Sequence, residues 1–318
     1  MAQSELALTA PQAHNRLKYI GSSDAAAICG LSPWKSAVDV WMEKTGRKEQ
    51  PDLSGKKAIR RGAMLEPIIR DVIAREAGIV ITHCNVRYIE ENGIWVAEID
   101  AEFDAVTGDE VEECNVEIKT ANSRKGWGEE WTDQIPDYYM AQVLHAQTVT
   151  KRKNTLVVAA FGFDDFRYYM VEHDAELAAW IRQQEELFWQ HVQQDIPPEP
   201  IALDDAYAAF GVDAGTTIEA TPEAVEDVLL WRGLDKQIAG LSDQRDSVEL
   251  RILKGLREHQ ALVFNSKPIF TWKSQKHTHL DQQGLKKENP ELVKRFTVSK
   301  TIRVARAAGG SLWQDQPE

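Results

Sequence analysis

Between Glu90 and Glu117 the chain carries eleven Asp or Glu and not one Lys or Arg, and it does so in a stretch patterned for strands. NVRYIE and GIWVAEI flank Glu91-Asn92-Gly93, where Asn-Gly is a favoured pair for a tight hairpin. AEFDAV, a turn at TGDE and VEECNVEIKTA follow, so residues 85–121 read as a meander of short strands. Acidic side chains on adjacent strands repel one another. Such a face is therefore either left to water or built around a cation. The run ends in VEIKT: side chains two apart in a strand share a face, which puts Glu117 and Lys119 together and turns Ile118 into the core.

The remaining pattern supplies helices around those strands. SSDAAAICG opens on the N-cap candidates Ser22 and Ser23, and SAVDVWMEKTG stops at Gly46. KKAIRRGAMLEPIIRDVIAREAG is a longer amphipathic segment, with Pro67 expected to kink or restart it. A helix is expected from about Pro136, a strand pair at NTLVVAAFGF and FRYYMVE, and a helix capped by Asp174 and ending before IPPEP. This order predicts an α/β core with a mixed sheet. The expected division is a core over 1–200, a linker over 201–221 that follows the prolines of IPPEP, and an appendage over 222–318. In the appendage, apolar residues near helical spacing run for almost forty positions. A break at Gly233 or Gly240 would make a long helical hairpin or a coiled-coil arm, and ALVFNSKPIFTWK reads as a small β extension.

Composition narrows the function classes. No stretch approaches the ~20 apolar residues of a membrane helix, and the N-terminus lacks a secretory signal pattern; the cytoplasm is the expected location, with no membrane partner. Cys29, Cys84 and Cys114 are odd in number and widely spaced, which argues against disulfides or a zinc ribbon. His277 and His279 share a strand face but lack a third ligand. The net charge of -13 counts against phosphate binding, yet residues 266–307 hold ten Lys or Arg against three acids. An acidic exterior with basic inner surfaces suits a protein that admits DNA through a channel.

Asp104 lies on the strand before Glu117, across the turn. With Glu117 and the Ile118 main-chain carbonyl it would form an all-oxygen site for Mg²⁺, or Mn²⁺ as a substitute, beside Lys119. Asp100, farther from the turn, is the rival for that position. Such a site suits phosphodiester hydrolysis, with the cation polarising the phosphate and the ammonium handling the attacking water. The bland alternative is a solvated acidic hairpin, which the spacing alone does not exclude.

The spacing from Asp104 to Glu117-x-Lys119 resembles the PD-(D/E)xK nucleases. IGSSDAAAICGLSPWKSAVDVWMEKTG (20–46), RGAMLEPIIRD (61–71), EFDAV with VEIKTAN, and YYMAQVLHAQTVTKRKN (138–154) occur in an order similar to that of the YqaJ-type viral recombinases, the family of phage lambda exonuclease. This resemblance spans roughly residues 16–195. It implies a PD-(D/E)xK core and a Mg²⁺-dependent exonuclease that degrades one strand of duplex DNA from the 5′ end, as a ring-shaped homotrimer, leaving 3′ tails for a phage single-strand annealing protein. By motif, Asp104 and Glu117 match the metal ligands, Lys119 the catalytic lysine, Glu66 the helical acid near the metals and Gln142 the active-site glutamine. Arg16, Ser22 and Ser23 fall in the region that binds the terminal phosphate; Ser22 and Ser23 equally suit helix capping.

One departure stands out. Relatives often read Ser-Pro-Asp-Gly around the first ligand, whereas this chain has Glu102-Phe103-Asp104-Ala105, an acid where a phosphate donor is expected. A restriction-like endonuclease and a non-catalytic recombination scaffold are the other readings. Trp34, Trp41 and Trp127 are expected in the core, with one of them as a potential base wedge, and the Lys-Arg-Lys run at 151–153 as a solvated turn. The basic remainder ends in GGSLWQDQPE, expected to fray.

Overall fold

The computed structural model describes residues 16–49, 55–107, 110–162, 164–299 and 301–307. The Gly108 and Asp109 of the expected turn and the GGSLWQDQPE tail lie outside them. The described chain forms two compact units that divide between Phe210 and Gly211.

In the first unit, β1 (Ile20–Gly21), β2 (Ile81–Ile89), β3 (Trp95–Thr107), β4 (Glu110–Thr120), β5 (Asn154–Ala160) and β6 (Phe166–Glu172) form one mixed sheet. The path runs β1-β3-β4-β5-β6, with β2 also paired to β3. β2, β3 and β4 make the antiparallel meander, β4 and β5 run parallel, and β5 and β6 are antiparallel. A parallel neighbour needs a crossover, and helix α4 (Asp137–Thr150) supplies it. The Asn92-Gly93 hairpin forms as expected: Gly93 sits at φ 71, where a side chain would be strained. Ile94 N–H donates to Asn92 Oδ1 at 3.0 Å.

At β5 both faces of the sheet are covered, which is why its sequence is almost wholly apolar. Leu156, Val158 and Ala160 pack with Ile69 and Ile73 of α3 (Lys57–Glu76). Val157 and Ala159 pack with Val143 of α4. Around α4 gather α1 (Ser22–Ile28), α2 (Ala37–Lys44) and α5 (Ala175–Gln194). Trp41 is buried there; Trp127 packs among Tyr139, Phe161 and Tyr169; Trp34 is 71% exposed, edge-on to Tyr138. α3 runs through Pro67 as one helix.

Buried polar groups fix how α4 sits on the sheet. His145 Nδ1 lies 2.5 Å from Glu185 Oε1 of α5, and its Nε2 lies 3.1 Å from the Val96 carbonyl of β3. Both ring nitrogens thus face acceptors; burial opposes the charged ring, but the Glu185 carboxylate outweighs it and raises the His145 pKa. At the end of α4, Arg152 donates to Asn115 Oδ1 and Tyr88 Oη and pairs with Glu102 at 2.7 Å. This corrects the solvated turn expected at 151–153, since Arg152 is buried.

The boundary differs from the expected 1–200 and 201–221 division. Residues 203–209 form a helix, α6, whose buried Asp205 accepts from Ser36 Oγ at 2.6 Å and from Ile201 N–H at 3.2 Å. The segment to Phe210 therefore belongs to the core unit.

In the second unit the expected break at Gly233 or Gly240 does not occur, so the hairpin alternative does not form. Residues Pro222–Leu256 are one 35-residue helix, α7, that passes through Gly233 and Gly240. Each glycine weakens a helix by about 1 kcal/mol without breaking it, and Thr221 caps the start through Ala224 N–H. The small β extension is present as β7 (Ala261–Phe264) and β8 (Lys267–Thr271), followed by α8 (Gln282–Glu288) and α9 (Pro290–Phe296). No described helix is long and apolar enough to cross a membrane.

Candidate active site

The β3–β4 ladder decides which acid meets Glu117. Opposite residues in an antiparallel ladder keep a constant index sum, and the register pairs Ala101 with Val116 and Asp104 with Glu113. The next step beyond Ala101–Val116 brings Asp100 beside Glu117. Asp104 lies four residues, about 13 Å, along the strand, and is exposed. The expectation placed Asp104 near Glu117 because it treated the turn as close to both; the strands instead remain paired out to Thr107 and Glu110. The structure thus corrects the expected neighbour of Glu117 from Asp104 to Asp100. Glu102, the acid expected to disturb a phosphate, is buried against Arg152.

Asp100, Glu117, Ile118 and Lys119 line a cavity of about 520 Å³ with Glu66, Gln142, Tyr139, Glu98, Arg16, Ser22 and Ser23. Four chain segments converge on it, the first being residues 16–23 with Arg16, Ser22 and Ser23. β3 and β4 bring the acids and the lysine; α4 brings Tyr139 and Gln142, three apart on one helical face. α3 turns Ile59, Gly62 and Glu66 toward the cavity at helical spacing. Of the candidate site residues named from the sequence, all except Asp104 therefore line one cavity. Asp100 was the rival; Glu98, two residues before it, and Tyr139 were missed. A period-two walk back from Asp100 would have found Glu98.

The contacts are dense. Lys119 Nζ donates to Glu117 Oε1 and, at 3.0 Å, to Gln142 Oε1, while Gln142 Nε2 donates to Glu117 Oε1 at 2.7 Å. The ammonium also lies 5.0 Å from the Tyr139 ring centroid. Asp100 Oδ2 accepts from Ile118 N–H at 2.7 Å. Arg70 donates to Glu66 Oε1 at 3.0 Å and to the Asp100 carbonyl at 3.1 Å, tying α3 to β3. Away from these acids, Arg16 Nη2 donates to Ser23 Oγ at 2.9 Å. The Ser22 hydroxyl is buried and has no hydrogen-bond partner among the described residues.

Charge in the cavity is uneven. Enclosure and the neighbouring Glu117 carboxylate push the Asp100 carboxyl up to about 8, against the pull of Lys119. Burial works against the Lys119 ammonium, but Glu117 and Asp100 outweigh it and raise its pKa, so it stays charged. Two carboxyl groups thus share essentially one cation, which Glu117 holds. A divalent ion would relieve that imbalance, and the oxygen-only donor set suits Mg²⁺ or Mn²⁺. Among the described residues no three His, Cys, Asp or Glu side chains stand together as a ready metal site. A metal here would accordingly need main-chain oxygen, water or substrate to complete its shell.

Comparison with known proteins agrees with the sequence resemblance. Residues 13–153 match the family described as the YqaJ-like viral recombinase domain. An uncharacterized protein, YqaJ, of Bacillus subtilis strain 168 is 26% identical over 291 residues, an alignment covering 87% of each chain. Among solved structures, the alkaline exonuclease LHK-Exo from Laribacter hongkongensis is similar at a TM-score of 0.44 and 19% identity, over 59% of this chain and 94% of that one. A phage related exonuclease from Haemophilus somnus 129PT has a TM-score of 0.39 and 13% identity, over 57% and 97%. The sheet, the crossover helix and the cavity between β3, β4, α3 and α4 thus lie in, or border, residues 13–153, the segment that matches the YqaJ-like viral recombinase domain.

Proposed function

We propose that the chain is a metal-dependent PD-(D/E)xK exonuclease that degrades duplex DNA from a 5′ end and leaves 3′ single-stranded tails for recombination. The observation that carries this reading is the Asp100–Glu117–Lys119–Gln142 cluster, which shares one cavity with Glu66 and with Arg16, Ser22 and Ser23. Asp100, Glu117 and the Ile118 carbonyl are the groups that would hold Mg²⁺. When bound, the ion supplies Lewis-acid charge at the scissile phosphate and makes water a better nucleophile at neutral pH.

The chain's own residues account for the rest of the chemistry. The Lys119 ammonium, kept charged by its acidic neighbours, stabilises negative charge that develops on the phosphate. Gln142 holds Glu117 and Lys119 in one geometry by bonding both. Glu66, oriented by Arg70, accepts a proton from, or positions, the attacking water. Arg16, with Ser23 and the unpartnered Ser22 hydroxyl, receives the terminal phosphate. A homotrimeric ring would thread the DNA and give processivity, and a phage single-strand annealing protein would take up the tail.

The test is digestion of linear duplex, end-labelled and carrying either a 5′ phosphate or a 5′ hydroxyl, beside a closed circle, with Mg²⁺. Release of nucleotides from the 5′ end of linear DNA only, lost in Lys119→Ala, is the expected result. Cutting of circles would instead make the site that of an endonuclease, and no cutting at all would make the domain a scaffold. Sedimentation of the free protein reads the trimer directly.

A further inference from the structure

We propose that α7 pairs with the α7 of a second copy of this chain as an antiparallel coiled coil centred near Leu241. Along α7, Trp231, Leu234, Ile238, Leu241, Val248 and Ile252 recur at alternating steps of three and four, with Arg245 filling the remaining position. That is the 3.5-residue repeat that winds two helices together. Five of these side chains are open to solvent, at 43, 47, 64, 64 and 44% for Trp231, Leu234, Ile238, Leu241 and Val248. A row of this length, uncovered on one helix, marks an interaction surface. Three glycines inside the helix, Gly233, Gly240 and Gly255, weaken it as an isolated element, which leaves packing to sustain it.

Charge selects the occupant and its direction. In a parallel pair, Arg245 would meet its own copy across the seam, and Asp227, one repeat step before Trp231, would do the same. Reversing one helix about Leu241 moves each Arg245 to Ile238 and Asp235 of the second copy, an apolar contact beside an opposite charge. The ends agree. Residues 222–231 contain Glu223, Glu226 and Asp227 and no Lys or Arg, whereas 250–257 contain Arg251, Lys254 and Arg257 and no acid. Antiparallel pairing sets these ends against each other, so the surface is complementary to itself. The pairing does not rest on the nuclease reading.

Cysteine cross-linking of the full chain tests it, in a Cys84→Ser background because that thiol is exposed. Under mild oxidation, Leu241→Cys should form a disulfide-linked dimer on a denaturing gel, whatever larger assembly the core builds. Leu234→Cys alone should form roughly tenfold less, since its mate lies fourteen residues, about 21 Å, along the axis. Mixing Leu234→Cys chains with Val248→Cys chains should restore the link. Asp243→Cys, at the same height on the opposite helix face, is the collision control. Equal linking of Leu234→Cys and Leu241→Cys overturns the antiparallel register. Linking of Asp243→Cys to the level of Leu241→Cys, or no linking at any position, overturns the pairing itself and leaves the seam to another partner.

Discussion

Asp24 and Asp100 are the same residue type, both drawn out of bulk water, and their carboxyls shift in opposite directions. Asp24 lies on α1 with Lys44 at 2.7 Å and Lys35 at 3.7 Å. Burial opposes its charge, but Lys44, Lys35 and Arg16 together hold its carboxyl far below the usual range. Asp100 faces Glu117 and shares a lysine with it, and its carboxyl rises to about 8. The fold balances the charge of the first acid internally and leaves the second in deficit. That difference separates an acid that holds a structure together from one that, in the proposed reading, would take a bound cation.

The largest expected effect breaks the pair at the cavity side. Asp100→Asn should lower nucleotide release by roughly 10³-fold or more while Asp104→Asn stays near wild type, because only the former touches the cavity. Near-equal losses in initial rate assays would put the ligand assignment in doubt. Lys119→Ala is expected to cost on the order of 10²–10³-fold in the same assay. The corresponding change at the other acid, Asp24→Asn, should leave the chemistry alone and destabilise the fold by about 3–5 kcal/mol, because it strands Lys44, whose side chain is 1% exposed.

Acid should sharpen that contrast. A carboxyl whose folded pKa is depressed contributes stability above its unfolded pKa, near 3.9, and loses that contribution as pH falls toward the folded value. Wild type should therefore lose thermal stability steeply below about pH 4, and Asp24→Asn should flatten the slope. Mg²⁺ should raise the melting temperature of wild type by the equivalent of about 2.7 kcal/mol at a hundredfold excess over Kd, and not that of Asp100→Asn. The smallest effect concerns Glu98, an acid lining the same cavity as Arg16 and Ser23. Glu98→Gln should raise the preference for a 5′-phosphorylated end only a few-fold, a solvent-screened charge effect read by competing the two substrates.

Much of this was legible in the residues. The strand alternation around Glu117-Ile118-Lys119, the Asn-Gly turn, the helix bearing Gln142 and the helical acid Glu66 all depend on interactions within a few residues. So does the Asp174 cap, whose carboxylate accepts from Glu176 and Leu177 N–H as expected. The misreadings occurred where distance along the chain mattered. The span from Lys151 to Lys153 looked like a surface turn, yet Arg152 is buried by Glu102 and Asn115, residues of β3 and β4. Gly233 and Gly240 looked like breakpoints, and the local cost they impose was too small to stop α7.

The sequence by itself determined the inventory: which segments are strands or helices, which chemistry-bearing residues exist, and that Glu117 and Lys119 share a face. Those follow from backbone geometry with periods of 2 and 3.6 residues. Only the tertiary structure decided between Asp100 and Asp104. Both satisfy the local pattern, and the choice depends on the ladder register, which is set where β3 and β4 meet across a long hairpin. The same packing turned Glu98 and Tyr139 into the cavity and committed Glu102 to Arg152, because a side chain's role depends on what other segments bring beside it.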